Sequence, residues 1–74
     1  MKRKNTKPLL YLQLAGIFEQ QIHKEVLKVG DKLPSIRTLC RLHGVSMSTA
    51  QSAFHSLERK ALIESRPQSG YYVS

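Results

Sequence analysis

Gly44 stands between two stretches whose apolar residues recur every three or four positions, and that arrangement leaves few folds open. Before it, Ser35 is a suitable N-cap for a short helix turning Ile36, Leu39 and Cys40 inward, with Leu42 as a fourth candidate. After it, Ser46 caps a longer helix, about 47–60, with an apolar stripe at Ala50, Ala53, Phe54, Leu57 and Ala61. Between the two helices, "HGV" must turn the chain sharply. A glycine takes the positive φ of such a turn without the steric cost of a β-carbon. Val45 then packs under the corner. Two helices joined this tightly around a glycine form a helix-turn-helix unit.

The flanks need to supply the rest of the core. Upstream, Leu10, Leu14, Ile17, Phe18, Ile22 and Val26 mark one face of a first helix, read as Leu10 to Leu27. Pro8 suits its first turn, and Gly30 and Pro34 are the expected stop signals. Leu10, Leu14 and Ile17 are read as core in preference to a dimer seam. Downstream the period changes. An extended run from Leu62 to Arg66, the turn formers Pro67, Ser69 and Gly70, and Tyr71 to Val73 read as a two-stranded hairpin. An isolated hairpin is marginal, so Tyr71 and Tyr72 are expected to pack it onto the first or third helix. The expected fold is mainly α with a small β-hairpin: a winged helix-turn-helix of three helices plus a two-stranded wing. Residues 1–8 are read as a flexible basic arm and 9–74 as the domain.

The chain has 74 residues, room for one small domain with a thin core and no deep catalytic cleft. An enzyme is therefore not expected. Its single cysteine, Cys40, cannot form an internal disulfide and suits a reducing compartment. No apolar run approaches the roughly 20 residues that span a bilayer, and no signal-peptide pattern is present. These features point to a cytoplasmic protein with no membrane partner. His23, His43 and His55 fall on three segments, and the Cys40–His43 pair alone does not make a metal site.

Twelve Lys and Arg against five Asp and Glu give a formal charge of +7, which favours a polyanionic partner over mere solubility. An α-helix fits the major groove of duplex DNA, and the second helix of the unit is the one inserted. Its outward side chains are Met47, Ser48, Gln51, Ser52 and His55. Gln51 suits a bidentate contact to adenine and Met47 a thymine methyl, while Ser46 and Thr49 are expected on phosphates. Cations belong at the rim, where Lys32, Arg37, Arg41, Arg66 and the arm could meet the backbone. The alternative is a winged helix that docks on an acidic protein surface. Against it, residues 47–51 carry none of the Leu, Phe or Trp anchors usual at such interfaces. RNA is a weaker possibility, because no aromatic stacking sheet is apparent.

The stretch "DKLPSIRTLCRLHGVSMSTAQSAFHSLERKALIESRPQSGYYV" resembles the GntR family of bacterial transcription regulators. The resemblance rests on G-D-x-L-P-S-x-R-x-L, G-V-S-x-x-T and L-E-x-x-x-L-I-E, and it covers nearly all the chain beyond the arm. It implies DNA contacts at Arg37, at Ser46, Met47, Ser48, Thr49 and Gln51, and at a wing tip of Gln68, Ser69 and Gly70 beside the minor groove. The wing as a whole is read as about 66–71. Relatives often carry Arg where Met47 and Gln51 stand, so the operator cannot be inferred from the resemblance. The ending "ESRPQSGYYV" is most similar to the MocR subgroup, whose members add an aminotransferase-like domain that binds pyridoxal phosphate. That resemblance implies no cofactor in these residues and a homodimer in the full-length protein, with the isolated domain a candidate monomer. It also implies that these residues are a DNA-binding piece of a longer regulator, repressor or activator, in preference to a short stand-alone one.

Overall fold

The computed structural model describes residues 8–74, so the arm expected over 1–8 lies outside it except for Pro8. The described residues form α1 (Pro8–His23), α2 (Ile36–His43), α3 (Met47–Arg59), β1 (Ile63–Arg66) and β2 (Gly70–Val73). The two strands pair antiparallel, with Ile63 opposite Val73 and Arg66 opposite Gly70. This is the expected winged helix-turn-helix. α3 is the central element: α1 and α2 pack on it from one end of the chain and β1 from the other.

The core gathers one stripe from each element. Leu14, Ala15 and Phe18 come from α1, Leu39 from α2, and Ala50, Ala53, Phe54 and Leu57 from α3, closed by Leu33, Ile63 and Val73. Phe54 is fully buried, with edge-on rings from Phe18 at 5.8 Å and Tyr71 at 4.7 Å between centroids. Full burial of such a side chain stabilises by roughly 1.5–3 kcal/mol. Two neighbouring elements, α1 and β2, thus meet on a residue of α3.

Several expectations need correction. α1 ends at His23, not near Leu27, because Glu25 takes the left-handed conformation at φ 61°. The Val26 amide then donates to the Gln21 carbonyl at 2.8 Å and closes the end of the helix. Gly30, at φ 92°, belongs instead to a later turn. Val26 is 66% exposed, and Leu10 and Ile17 also lie outside the core; the buried face is turned towards Leu14, Ala15 and Phe18. Leu42 faces solvent at 69% exposure. Ala61 is not on the α3 stripe: it sits past the helix end at φ 60°, where Leu62 N–H reaches the Leu57 carbonyl at 3.0 Å. Gly44 does what was expected of it, capping α2 at φ 64°.

Between α1 and α2, the segment around Lys32 adds a short third line to the wing. Gly30 and Leu33 N–H groups donate to the carbonyls of Val73 and Tyr71, and Val73 N–H returns to Asp31. Lys32 thereby bridges to Tyr72, and Leu33 is carried into the core.

At the far end of α3, Lys60 Nζ donates to Glu19 Oε1 at 2.9 Å, and His23 Nε2 lies 3.6 Å from Oε2. The hydrogen bond from Lys60 holds the Glu19 carboxyl below its ordinary range. A carboxylate depressed in the folded state adds stability above its unfolded pKa and loses it as pH falls through the folded value. Lys60→Gln should raise the Glu19 midpoint in a carbon-detected NMR titration. An unchanged midpoint would show that Lys60 is not the cause.

Candidate nucleic-acid interface

The two helices of the turn begin in the same way. Ser35 Oγ accepts from Thr38 N–H and donates to Thr38 Oγ1, at 3.1 and 3.0 Å. Ser46 and Thr49 repeat the pair, both at 3.1 Å. A serine in extended backbone at N-cap satisfies the third amide of each helix, worth about 1 kcal/mol per cap. The amides of Met47 and Ser48 have no intrahelical partner, and they make the start of α3 attractive to an anion.

This pairing refines the expectation for Ser46 and Thr49. The Ser46 hydroxyl proton is committed to Thr49 Oγ1, so Ser46 contributes the cap and not a free donor. The Thr49 hydroxyl proton stays available, although its side chain is half-buried.

Opposite the Ala50, Ala53, Phe54 and Leu57 stripe, α3 exposes Ser48, Gln51, Ser52 and His55, with Met47 beside them at 51% exposure. These expected residues thus share one accessible helix side. Ser52 and His55 also line a shallow cleft of about 130 Å³ with Tyr11 of α1, Ser56 and Arg59. Every side chain lining it bears a hydrogen-bond donor, and none is a carboxylate. Tyr11, Ser56 and Arg59 were absent from the sequence-derived set. Arg59 was legible as i+4 from His55; Tyr11 was not, because only the α1–α3 crossing brings it there.

Apart from Arg59 in the last turn of α3, charge surrounds this face without entering it. From Lys32 to Leu57 the chain has no Asp or Glu. Arg37 and Arg41 are exposed one turn apart on α2, and neither is in a salt bridge among the described residues. The His43 and Phe18 rings form a T-shaped pair, 6.1 Å between centroids. Among the described residues no group of three His, Cys, Asp or Glu is placed to hold a metal, and no helix is long and apolar enough to cross a membrane.

The wing turns at Pro67–Ser69, with Gln68 at φ 65° and Ser69 N–H donating to the Arg66 carbonyl at 3.0 Å. Gln68 and Ser69 form the tip as expected. Gly70 does not: it opens β2, directly opposite Arg66. Arg66 is held as well as exposed, with Nε 2.8 Å from Glu64 Oε2 and its guanidinium 4.2 Å above the Tyr72 ring. Of the two tyrosines, only Tyr72 departs from expectation. Tyr71 packs on Phe54 of α3, whereas Tyr72 lies on the opposite sheet face and hydrogen-bonds Ser69 through its hydroxyl.

Comparison with known proteins agrees with this geometry. The profile described as "Bacterial regulatory proteins, gntR family" matches residues 10–73. The protein named "Uncharacterized HTH-type transcriptional regulator YjiR" of Escherichia coli strain K12 is 44% identical over 64 residues, covering 86% of this chain and 14% of YjiR. Several other curated relatives are matched over only 14–15% of their length. The solved structure of YtrA from Sulfolobus acidocaldarius, a GntR-family transcription factor, superposes with a TM-score of 0.84 at 37% identity, covering 95% of this chain and 73% of YtrA. The AraR DNA-binding domain, solved in complex with operator ORR3, gives 0.83 at 25% identity over 88% and 78% of the two chains. The chain belongs to the gntR family of bacterial regulatory proteins, as a winged helix-turn-helix DNA-binding domain of a transcription regulator.

Proposed function

We propose that this domain reads duplex DNA by sequence, with α3 in the major groove and the Pro67–Ser69 turn at the minor groove. One observation carries the reading: the exposed side of α3 is small, polar and uncharged, while cations flank it and carboxylates are excluded from Lys32 through Leu57. Base edges need neutral donors and acceptors; phosphates need cations. Met47, Ser48, Gln51, Ser52 and His55 are assigned to the groove floor, and Arg37, the Thr49 hydroxyl and the Ser46-capped helix start to the backbone. Arg66, Gln68, Ser69 and Gly70 supply the wing contact. A docking helix for an acidic protein would present apolar anchors, and α3 offers only Met47.

A mobility-shift assay on duplex DNA across salt concentrations tests this. Log affinity should fall linearly with log salt, by about 0.9 per phosphate neutralised. No binding at low salt would favour the protein-docking alternative. In the same assay Arg37→Ala should weaken every duplex about equally and shallow the slope by about 0.9. Unchanged affinity would remove Arg37 from the contact surface.

The ending "ESRPQSGYYV" supports a MocR-like regulator, although none of the relatives above bears that name. Relatives about seven times longer than the matched segment are compatible with a large following domain. In that reading the full protein is a cytoplasmic homodimer, and pyridoxal phosphate belongs to the other domain. A cleft of about 320 Å³ between Ile22, Glu25, Leu27, Lys28, Val29 and Val73 does not fit that cofactor: its lining has one lysine, one carboxylate and no phosphate cradle. Reading the genomic frame past Ser74 decides the subgroup. An aminotransferase-like domain supports it, and a stop codon ends it.

A further inference from the structure

The wing's outer face carries an arrangement that the DNA-reading proposal leaves unexplained. Across the hairpin, directly opposed residues share one sheet face, so Glu64, Tyr72 and Lys32 stand in a row. Arg66, two residues from Glu64, points to the same side. The inner face holds Ile63, Tyr71 and Val73. Tyr72 is therefore not needed to fill the core, and its ring is half-buried under side chains of its own layer.

Three contacts converge on that ring. The Arg66 guanidinium lies 4.2 Å above its centroid, its hydroxyl meets Ser69 Oγ at the tip, and Glu64 holds Arg66 Nε from the side. Beside it, Gly70 leaves a gap that Lys32 uses: a Cβ built on Gly70 would lie 3.3 Å from Lys32 Cε. Its backbone, at φ 129°, also excludes most other residues. Two cations thus cross one small platform, each guided by a side chain or by the absence of one.

We propose that Tyr72 is a positioning residue, which fixes the Arg66 guanidinium in the orientation that receives a DNA backbone phosphate. Gly70 is the opening through which Lys32 reaches the same platform. The assignment rests on the DNA-reading proposal and adds to it how the wing is organised beforehand. An unstacked arginine on a hairpin samples many rotamers and loses that freedom on binding; a stacked one has already lost much of it. Glu64 covers one edge of the guanidinium and leaves its terminal nitrogens for phosphate.

The test compares equilibrium binding of duplex DNA by the wild-type chain, Tyr72→Leu, Arg66→Gln and the double variant, across salt. Arg66→Gln should shallow the log–log salt slope by about 0.9. Tyr72→Leu should weaken binding about two- to fivefold, the weight of an exposed cation–aromatic contact, and should cost nothing more when Arg66→Gln is already present. Equal losses in both backgrounds, or none in either, overturn the assignment. If Tyr72→Leu does not fold, Tyr72→Phe and Arg66→Lys decide. The first keeps the ring and should bind within about twofold of wild type; the second keeps the charge without the planar stack and should lose about two- to fivefold. Wild-type affinity for Arg66→Lys overturns the proposal. A wild-type chain that binds no duplex at low salt is a distinct outcome: it removes the DNA reading itself, and this assignment with it.

Discussion

Phe54→Ala should leave the chain unfolded at 25 °C. Phe54 is fully buried and touches Phe18 of α1 and Tyr71 of the wing, so its loss opens a cavity where three elements meet. Phe-to-Ala changes in cores cost about 3–5 kcal/mol. A single core in a domain under about 80 residues supplies no more than about 3–5 kcal/mol of net stability. The two figures are equal, which is why this one change should abolish cooperative folding. Far-ultraviolet circular dichroism against urea would measure it, with Phe54→Leu as the comparison that retains most of the volume and should lose less than about 2 kcal/mol. A cooperative transition for Phe54→Ala within about 1 kcal/mol of wild type would mean that the core is not centred on this ring.

Gln51→Ala is the second large effect, and it acts on discrimination, not folding. Gln51 is exposed on the outward side of α3, so its truncation leaves no cavity. A carboxamide facing adenine in the major groove makes two hydrogen bonds, and losing them costs about 1–3 kcal/mol of preference, roughly 5- to 150-fold. The expected result is weaker binding to the preferred duplex, relaxed choice at one base pair and an unchanged salt slope, since no charge is lost. Competition with random DNA separates this from Arg37→Ala, which should weaken all duplexes and change the slope. If preferred and random DNA lose equally, Gln51 contacts no base.

The helix-turn-helix was legible because its signals are local. Ser35 and Ser46 are N-caps, Gly44 takes the left-handed turn, and Ala50, Ala53, Phe54 and Leu57 repeat at helical spacing. Each acts within a turn or two of its own position, so order along the chain suffices to find it. The start and outward side of α3 were legible for the same reason.

The misplaced features share another cause. α1 and α3 end at residues followed by Glu25 and Ala61 in left-handed backbone, where no glycine announces the stop. Just beyond them Leu27 and Leu62 pack against the core, and that burial favours the two turns. Likewise, the apolar spacing of α1 fits more than one face. The position of α3 selects Leu14, Ala15 and Phe18 over Leu10 and Ile17.

From the sequence alone followed the three helices, the hairpin, the corner at Gly44 and the polar outward side of α3, because capping, turn chemistry and periodicity are short-range. Tertiary structure decided which face of α1 is buried, that Lys32 joins the wing, and that Tyr72 stacks under Arg66 while Tyr71 enters the core. Those outcomes depend on groups far apart in the chain meeting across a sheet or a helix crossing, and no local preference encodes the distance between them.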